Sequence, residues 1–226
     1  MTTKCAAHGC GNTTKGYGKF CNSHGKRNLR HGHPCQQAIT KGDLSSYRKE
    51  VRRFLDSRAD PETWNKATER LTLVADRCRE TVRMYEGGRA MNRWEVGAAQ
   101  MFLTVIENVE PKAIIETCAG LALMVKREPR RFHGDAAVFT QMARRFSGLT
   151  EMNAGSYYNH ATGQVHRVYR DVPPRAALIL GRMLMVVVGV IGSQIAKVQS
   201  ERERAEREAR NALFAALAEG GEHVGR

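Results

Sequence analysis

Cys5, Cys10, Cys21 and His24 have the residue types and the spacing of a metal site, reading C-x4-C-x10-C-x2-H. Zinc takes four soft or borderline donors in a tetrahedron, and two short-spaced pairs about a loop can supply them. The second pair, Cys21-Asn22-Ser23-His24, lets a thiolate and an imidazole from one turn reach the same ion. Gly9, Gly11, Gly16 and Gly18 give the intervening backbone its freedom. His8 competes with Cys10 through Cys5-x2-His8, and Cys35, His31 and His33 compete for the last position. Outside the coordination sphere, His31 and His33 read as solvent-exposed donors to phosphate.

A second grouping, Tyr157-Tyr158-Asn159-His160 with His166 following, has some of the parts of an HNH-type nuclease. Such an enzyme needs a histidine base on a hairpin and a further ligand on the next helix holding a divalent cation. The paired Cys-x2-Cys knuckles and an acidic partner are missing, and Pro173-Pro174 falls where the helix should begin. His160 and His166 therefore read as loop or surface histidines. No P-loop, dinucleotide fingerprint or nucleophile elbow is present. Glu107, Glu110 and Glu116 read as capping groups or a solvated face. Nothing in the sequence marks a catalytic residue.

Charge points to a polyanion. The chain has 36 Lys and Arg against 23 Asp and Glu, a net charge of +13. Residues 1–53 hold eleven of the cations and two acids, so this quarter supplies +9 of the excess. A local positive field favours phosphate backbones, because each neutralised phosphate releases condensed counterions. Lys19, Lys26, Arg27 and Arg30 are the candidate phosphate contacts, and Arg48, Arg52 and Arg53 would extend the track along the first long helix. The six cysteines do not suit a secreted disulfide framework in a chain of this length, and the polar, Gly- and His-rich start has no apolar signal segment. A reducing cytoplasm is expected, where clustered thiols bind metal.

The run Cys5…Gly9-Cys10…Lys15-Gly16-Tyr17…Phe20-Cys21-x2-His24…Arg27-x2-Arg30-His31-Gly32-His33-Pro34 resembles a short zinc motif common in bacteriophage and mobile-element proteins. That motif often precedes an HNH homing-type endonuclease domain or a DNA-binding element. The resemblance covers residues 1–35. It implies Cys5, Cys10, Cys21 and His24 as the ligands and Arg27 and Arg30 as backbone contacts. Two positions depart from the pattern: Gly25 replaces the usual aromatic, and His33 replaces the usual Asp.

The elements that must position these residues fall into two parts, a zinc knuckle over 1–42 and a helical domain over 43–226. Residues 1–42 show no helical or strand periodicity and too few apolar residues to fold without a metal. Beyond them about six helices are expected. Asp43 caps the first, which runs to about Arg58 with Leu44, Tyr47, Val51, Phe54 and Leu55 on one face. Asp60-Pro61 opens the second and Gly87-Gly88 closes it. The third spans about Met91 to Asn108, the fourth Pro111 to Arg127, and the fifth Asp135 to Phe146, stopping at Gly148. Across 149–172, Ala161-Thr162-Gly163 can turn a short hairpin.

One long helix follows Pro173-Pro174. It is apolar to about Ala196, charged to about Ala218, and long enough to cross a bilayer. Arg182, Ser193 and Gln194 argue against insertion, so it is expected to be the central buried helix. Its thin Ala/Leu stripe past Val198 suits a homodimer seam.

The sequence thus predicts a mainly α protein with a zinc knuckle, acting as a non-enzymatic nucleic-acid-binding accessory protein of a phage or mobile element, with DNA ahead of RNA. A metal-dependent HNH-like nuclease and a module binding a host or virion protein are the alternatives.

Overall fold

A computed structural model of the chain describes residues 3–57, 62–150, 153–169 and 172–221. It is mainly helical, with seven α-helices and one small hairpin among the described residues. The helices are α1 (Asn22–His31), α2 (Lys41–Ser57), α3 (Glu62–Glu86), α4 (Arg93–Asn108), α5 (Pro111–Arg127), α6 (Asp135–Ser147) and α7 (Pro174–Gly221), with strands β1 (Asn153–Asn159) and β2 (Gln164–Tyr169) between α6 and α7.

The boundaries follow from local chemistry. Thr40 precedes α2, and its hydroxyl accepts from the Asp43 N–H at 3.1 Å while the Asp43 carboxylate accepts from the Thr40 N–H at 2.7 Å. This reciprocal pair is a capping box. Asp43 is therefore its third-position acid and not the cap itself. Asn92 caps α4 by accepting from the Trp94 N–H, Pro111 opens α5, and Gly148 ends α6. The expected Asp60-Pro61 start of α3 lies outside the described residues.

The centre of the fold is α5. Every residue from Ile114 to Met124 is buried, the polar Glu116 and Thr117 among them. It packs on α2, α6 and α7, while α3 packs on α4. The long C-terminal helix packs on all of α2 to α6, the core position expected of it, though it is not buried on every side. α7 buries a single face, through Leu180, Leu184, Val187, Val188, Ile191 and Ile195, and leaves Val186 and Val190 exposed. It is long and apolar enough to cross a membrane by composition, yet half of its most apolar window is buried inside the fold.

Two of its glycines explain the close packing. A Cβ at Gly181 would collide with the Phe139 carbonyl of α6, and one at Gly192 would meet Ala122 of α5 at 2.9 Å. From Ser200 to Phe214 the helix is exposed throughout.

The hairpin pairs β1 and β2 antiparallel, with Tyr158 opposite Val165, and turns through Gly163 at a φ of 66°. One large core spans Ile39 to Ile195. A second, minute cluster of Cys5, Ala7 and Cys21 sits apart from it, with Cys10, Phe20 and Cys35 against its edge.

Candidate metal centre and basic groove

The segment before α1 is a folded loop built around its cysteines. Lys4 bridges Thr13, the Cys5 N–H donates to the Asn12 carbonyl at 2.9 Å, and the Thr14 N–H donates to the Thr3 carbonyl at 2.8 Å. The Cys10 N–H closes a turn on the Ala7 carbonyl at 3.1 Å, made possible by Gly9 at a φ of 72°. The Ala6 N–H then takes the Lys19 carbonyl at 3.0 Å, which brings Phe20 and Cys21 back beside Cys5.

Cys21 is the N-cap of α1, so Cys21 and His24 enter the site from one helical turn. The Cys21 N–H donates to the Cys5 sulfur at 3.2 Å. His24 Nδ1 lies 3.3 Å from Cys21 Sγ and 3.5 Å from Cys5 Sγ. All four ligand atoms lie within 4.8 Å of one another, close enough to hold a metal ion.

One ring nitrogen can donate a proton to one sulfur only, whereas a shared cation would satisfy both contacts. The thiols feel the crowding. Burial opposes charge on Cys5, but the Cys21 and Ala7 N–H groups and His24 outweigh it and bring its pKa down to about 6. At Cys10 the Asn12 N–H favours the thiolate, yet burial and the Cys5 and Cys21 sulfurs prevail and push the pKa up. A group of sulfurs that cannot all ionise unaided is one a cation would complete.

The competing ligands fall away. His8 is exposed and lies outside the group. Cys35 packs on the cluster's edge, its N–H donating to His33 Nδ1 at 3.2 Å. His31 and His33, expected as exposed phosphate donors, are half-buried anchors to the helical body. His31 Nδ1 sits 3.1 Å from Gln141 Nε2, and His33 stacks on His133 at 4.8 Å. Burial lowers the pKa of both, helped at His31 by Arg144 and Arg30 and at His33 by His133. Gly32, left-handed at a φ of 81°, ends α1 with its backbone against the Ala136 carbonyl. Gln36 extends the attachment, donating to the Arg131 carbonyl at 3.3 Å and accepting from the His133 N–H at 3.1 Å.

α1 carries the basic residues to a groove. Lys26, Arg27 and Arg30 line a cavity of about 760 Å³ between α1, α6 and the start of α7, faced by Arg144 and floored by Val172 and Ala177. Lys19 is exposed nearer the metal site, over the Phe20 ring.

The α2 residues expected to extend a phosphate track sit elsewhere. Arg52 holds the buried Glu116 of α5 bidentately at 2.8 and 2.7 Å, and Arg48 reaches the same carboxylate at 3.7 Å. Their charge is turned inward because Glu116, 1 % exposed, needs compensation in the core. Glu116 is thus neither a cap nor part of a solvated face. Arg53 is exposed on α2. His160 stands in the hairpin turn, edge-on to Tyr158 at 5.0 Å. Among the described residues it belongs to no cluster of metal ligands, and the side chain of His166 lies outside those described.

Comparison of the chain with family models, curated proteins and solved structures finds no match among them.

Proposed function

We propose that the protein is a non-enzymatic, zinc-containing nucleic-acid-binding protein of a reducing cytoplasm, working as an accessory factor of a phage or mobile element. Three thiolates and one imidazole are the donor set of structural zinc sites. Zinc bonds of about 2.3 Å to sulfur and 2.0–2.1 Å to nitrogen place S and N roughly 3.5 Å apart along a tetrahedral edge. The 3.3 and 3.5 Å separations of His24 from its two sulfurs fit that edge. Zinc would supply a fixed cross-link and charge compensation for the thiolates. Cys5, Cys10, Cys21 and His24 would hold it with no position left open, which suits a structural role.

The observation that carries the reading is the double use of α1. Its first turn presents Cys21 and His24 to the metal site, and its next two turns present Lys26, Arg27 and Arg30 to the basic groove. Metal binding thereby fixes where the three cations stand. The phage or mobile-element setting is supported by the motif resemblance over 1–35. A homodimer through the end of α7 is supported by Leu213 and Phe214, apolar and about 60% exposed on the projecting helix.

The test is fluorescence anisotropy of metal-analysed protein with labelled DNA and RNA across a salt series. One zinc per chain and affinity that falls steeply with salt are expected. Arg27→Ala with Arg30→Ala should weaken binding about tenfold or more at low salt, and chelation should do the same. Unchanged affinity in the double variant would sink the proposal.

A further inference from the structure

A smaller cleft in the helical body holds polar groups that the chain leaves unsatisfied. It lies between α2, α5 and α6 and has a volume of about 110 Å³, with Lys41, Arg48, Thr117 and Arg145 around it and Leu44 and Leu149 as apolar walls. Three buried polar atoms here have no hydrogen-bond partner: Arg48 Nε, Thr117 Oγ1 and Arg145 Nε. Two are cationic donors and the third is a hydroxyl able to donate.

Thr117 is the most telling of them. Thr72, Thr81, Thr104 and Thr140 all turn their hydroxyls back onto the carbonyl four residues earlier in their own helices, the usual resort of a helical threonine. Thr117, only 4 % exposed, forgoes that bond and lines the cleft instead.

The Arg145 side chain forms no hydrogen bond or ion pair among the described residues. Burial, with Arg144 beside it, lowers its pKa against the longer-range pull of Asp43. Asp43 itself is taken by Thr40 and Arg131. The buried acid Glu116 is held bidentately by Arg52 and reached by Arg48 at 3.7 Å, which leaves Arg145 and Lys41 as cations of the cleft lining with no acid beside them in it.

We propose that this cleft is a binding site for a single phosphate-sized oxyanion, held by Arg48, Arg145 and the Thr117 hydroxyl with Lys41 at the mouth. Unsatisfied donors on three of the residues around one small space suit the oxygens of a single tetrahedral anion. The volume admits such an ion with some water, at roughly 10–15 Å³ per water. It falls well short of the roughly 300–1,000 Å³ of pockets that enclose whole organic ligands. The exposed positions at Lys41 and Gly148 give the entry. The site shares no residue with the metal centre or the basic groove, and it stands whether or not the protein binds nucleic acid.

The probe is inorganic phosphate, titrated calorimetrically into the full metal-loaded chain at fixed ionic strength. Saturable one-site binding tighter than about 1 mM is expected. It should weaken about tenfold to a hundredfold in Arg145→Gln and measurably in Thr117→Val. Arg145→Gln removes a half-buried charge without an acidic partner, so in phosphate-free buffer it should fold and melt no lower than the parent chain. Should that variant fail to fold, Thr117→Val carries the comparison.

Adding a 5′-phosphorylated oligonucleotide and its unphosphorylated twin separates the sources. Phosphate-dependent competition at this site assigns it to a nucleic-acid terminus, and its absence assigns it to the free ion. A folded parent chain with no saturable phosphate binding would overturn the proposal, as would equal affinity in folded Arg145→Gln.

Discussion

A carboxylate buried in the middle of a helix sets the roles of residues far from it in sequence. Glu116 draws Arg52 and Arg48 from α2, and the two sides of the pair are not equally exposed. Arg52 keeps about half of its side chain in water, whereas Glu116 is 1 % exposed. Losing Arg52 leaves the buried Glu116 with only the longer contact to Arg48, while losing Glu116 leaves a guanidinium at 52 that solvent can rehydrate. Arg52→Ala should therefore destabilise the fold more than Glu116→Met does, read from denaturant unfolding. If Arg52 serves the core and not phosphate, its loss should leave nucleic-acid affinity of the folded protein unchanged.

Asp43 gives a pH signature. The Thr40 hydroxyl and N–H, followed by Arg131, hold its pKa at about 2, below an unfolded value of about 3.9. A depressed acid stabilises the fold fully above its unfolded pKa and ceases to do so as pH drops through the folded one. Acid melting curves should accordingly lose this contribution between about pH 4 and pH 2, and Asp43→Asn should flatten that limb. None of these pairings was legible in sequence, because a carboxylate at 116 gives no sign that its partners lie at 48 and 52.

Helices differ in how plainly they announce themselves, and α1 shows the limit. Its ten residues include no buried one, so it has no apolar stripe to betray it. The helix is held by Cys21 at its start, the Gly32 cap at its end and attachments along α6. The spacing of Cys21, His24 and Gly32 was the available clue. By contrast α2 to α6 follow the 3.6-residue apolar period and stop at Gly or Pro, and the four metal-site residues come together as their spacing suggested.

That α5 is buried on every side was not legible, because its Glu116 reads as a solvent-facing residue until Arg48 and Arg52 are seen beside it. Two glycines of α7 test the packing. Gly181→Ala should destabilise by about 1–3 kcal/mol through its clash with the Phe139 carbonyl. Gly189→Ala meets nothing nearer than its own Met185 at 3.8 Å and should stabilise by about 0.5–1 kcal/mol through helix propensity. Thermal or denaturant melts of the pair would show opposite signs.

For the molecule as a whole, the mainly helical class and the run of elements from α2 onward could be read directly. The way the N-terminal segment is fastened to the body through His31, His33 and Gln36 could not, since those contacts join residues about a hundred positions apart. A dimer through the end of α7 would give twice the 25.3 kDa chain mass by light scattering, and removing 200–226 should return one chain mass.

The length of α7 has a further effect. At about 1.5 Å per residue, the stretch from 200 to 221 extends roughly 33 Å, against a radius of gyration of about 17 Å for a compact chain of this size. Such a spar adds to the drag on the particle. Even one copy should diffuse more slowly and elute earlier than a spherical standard of its mass, and a calibration built on spheres would credit it with weight it does not have.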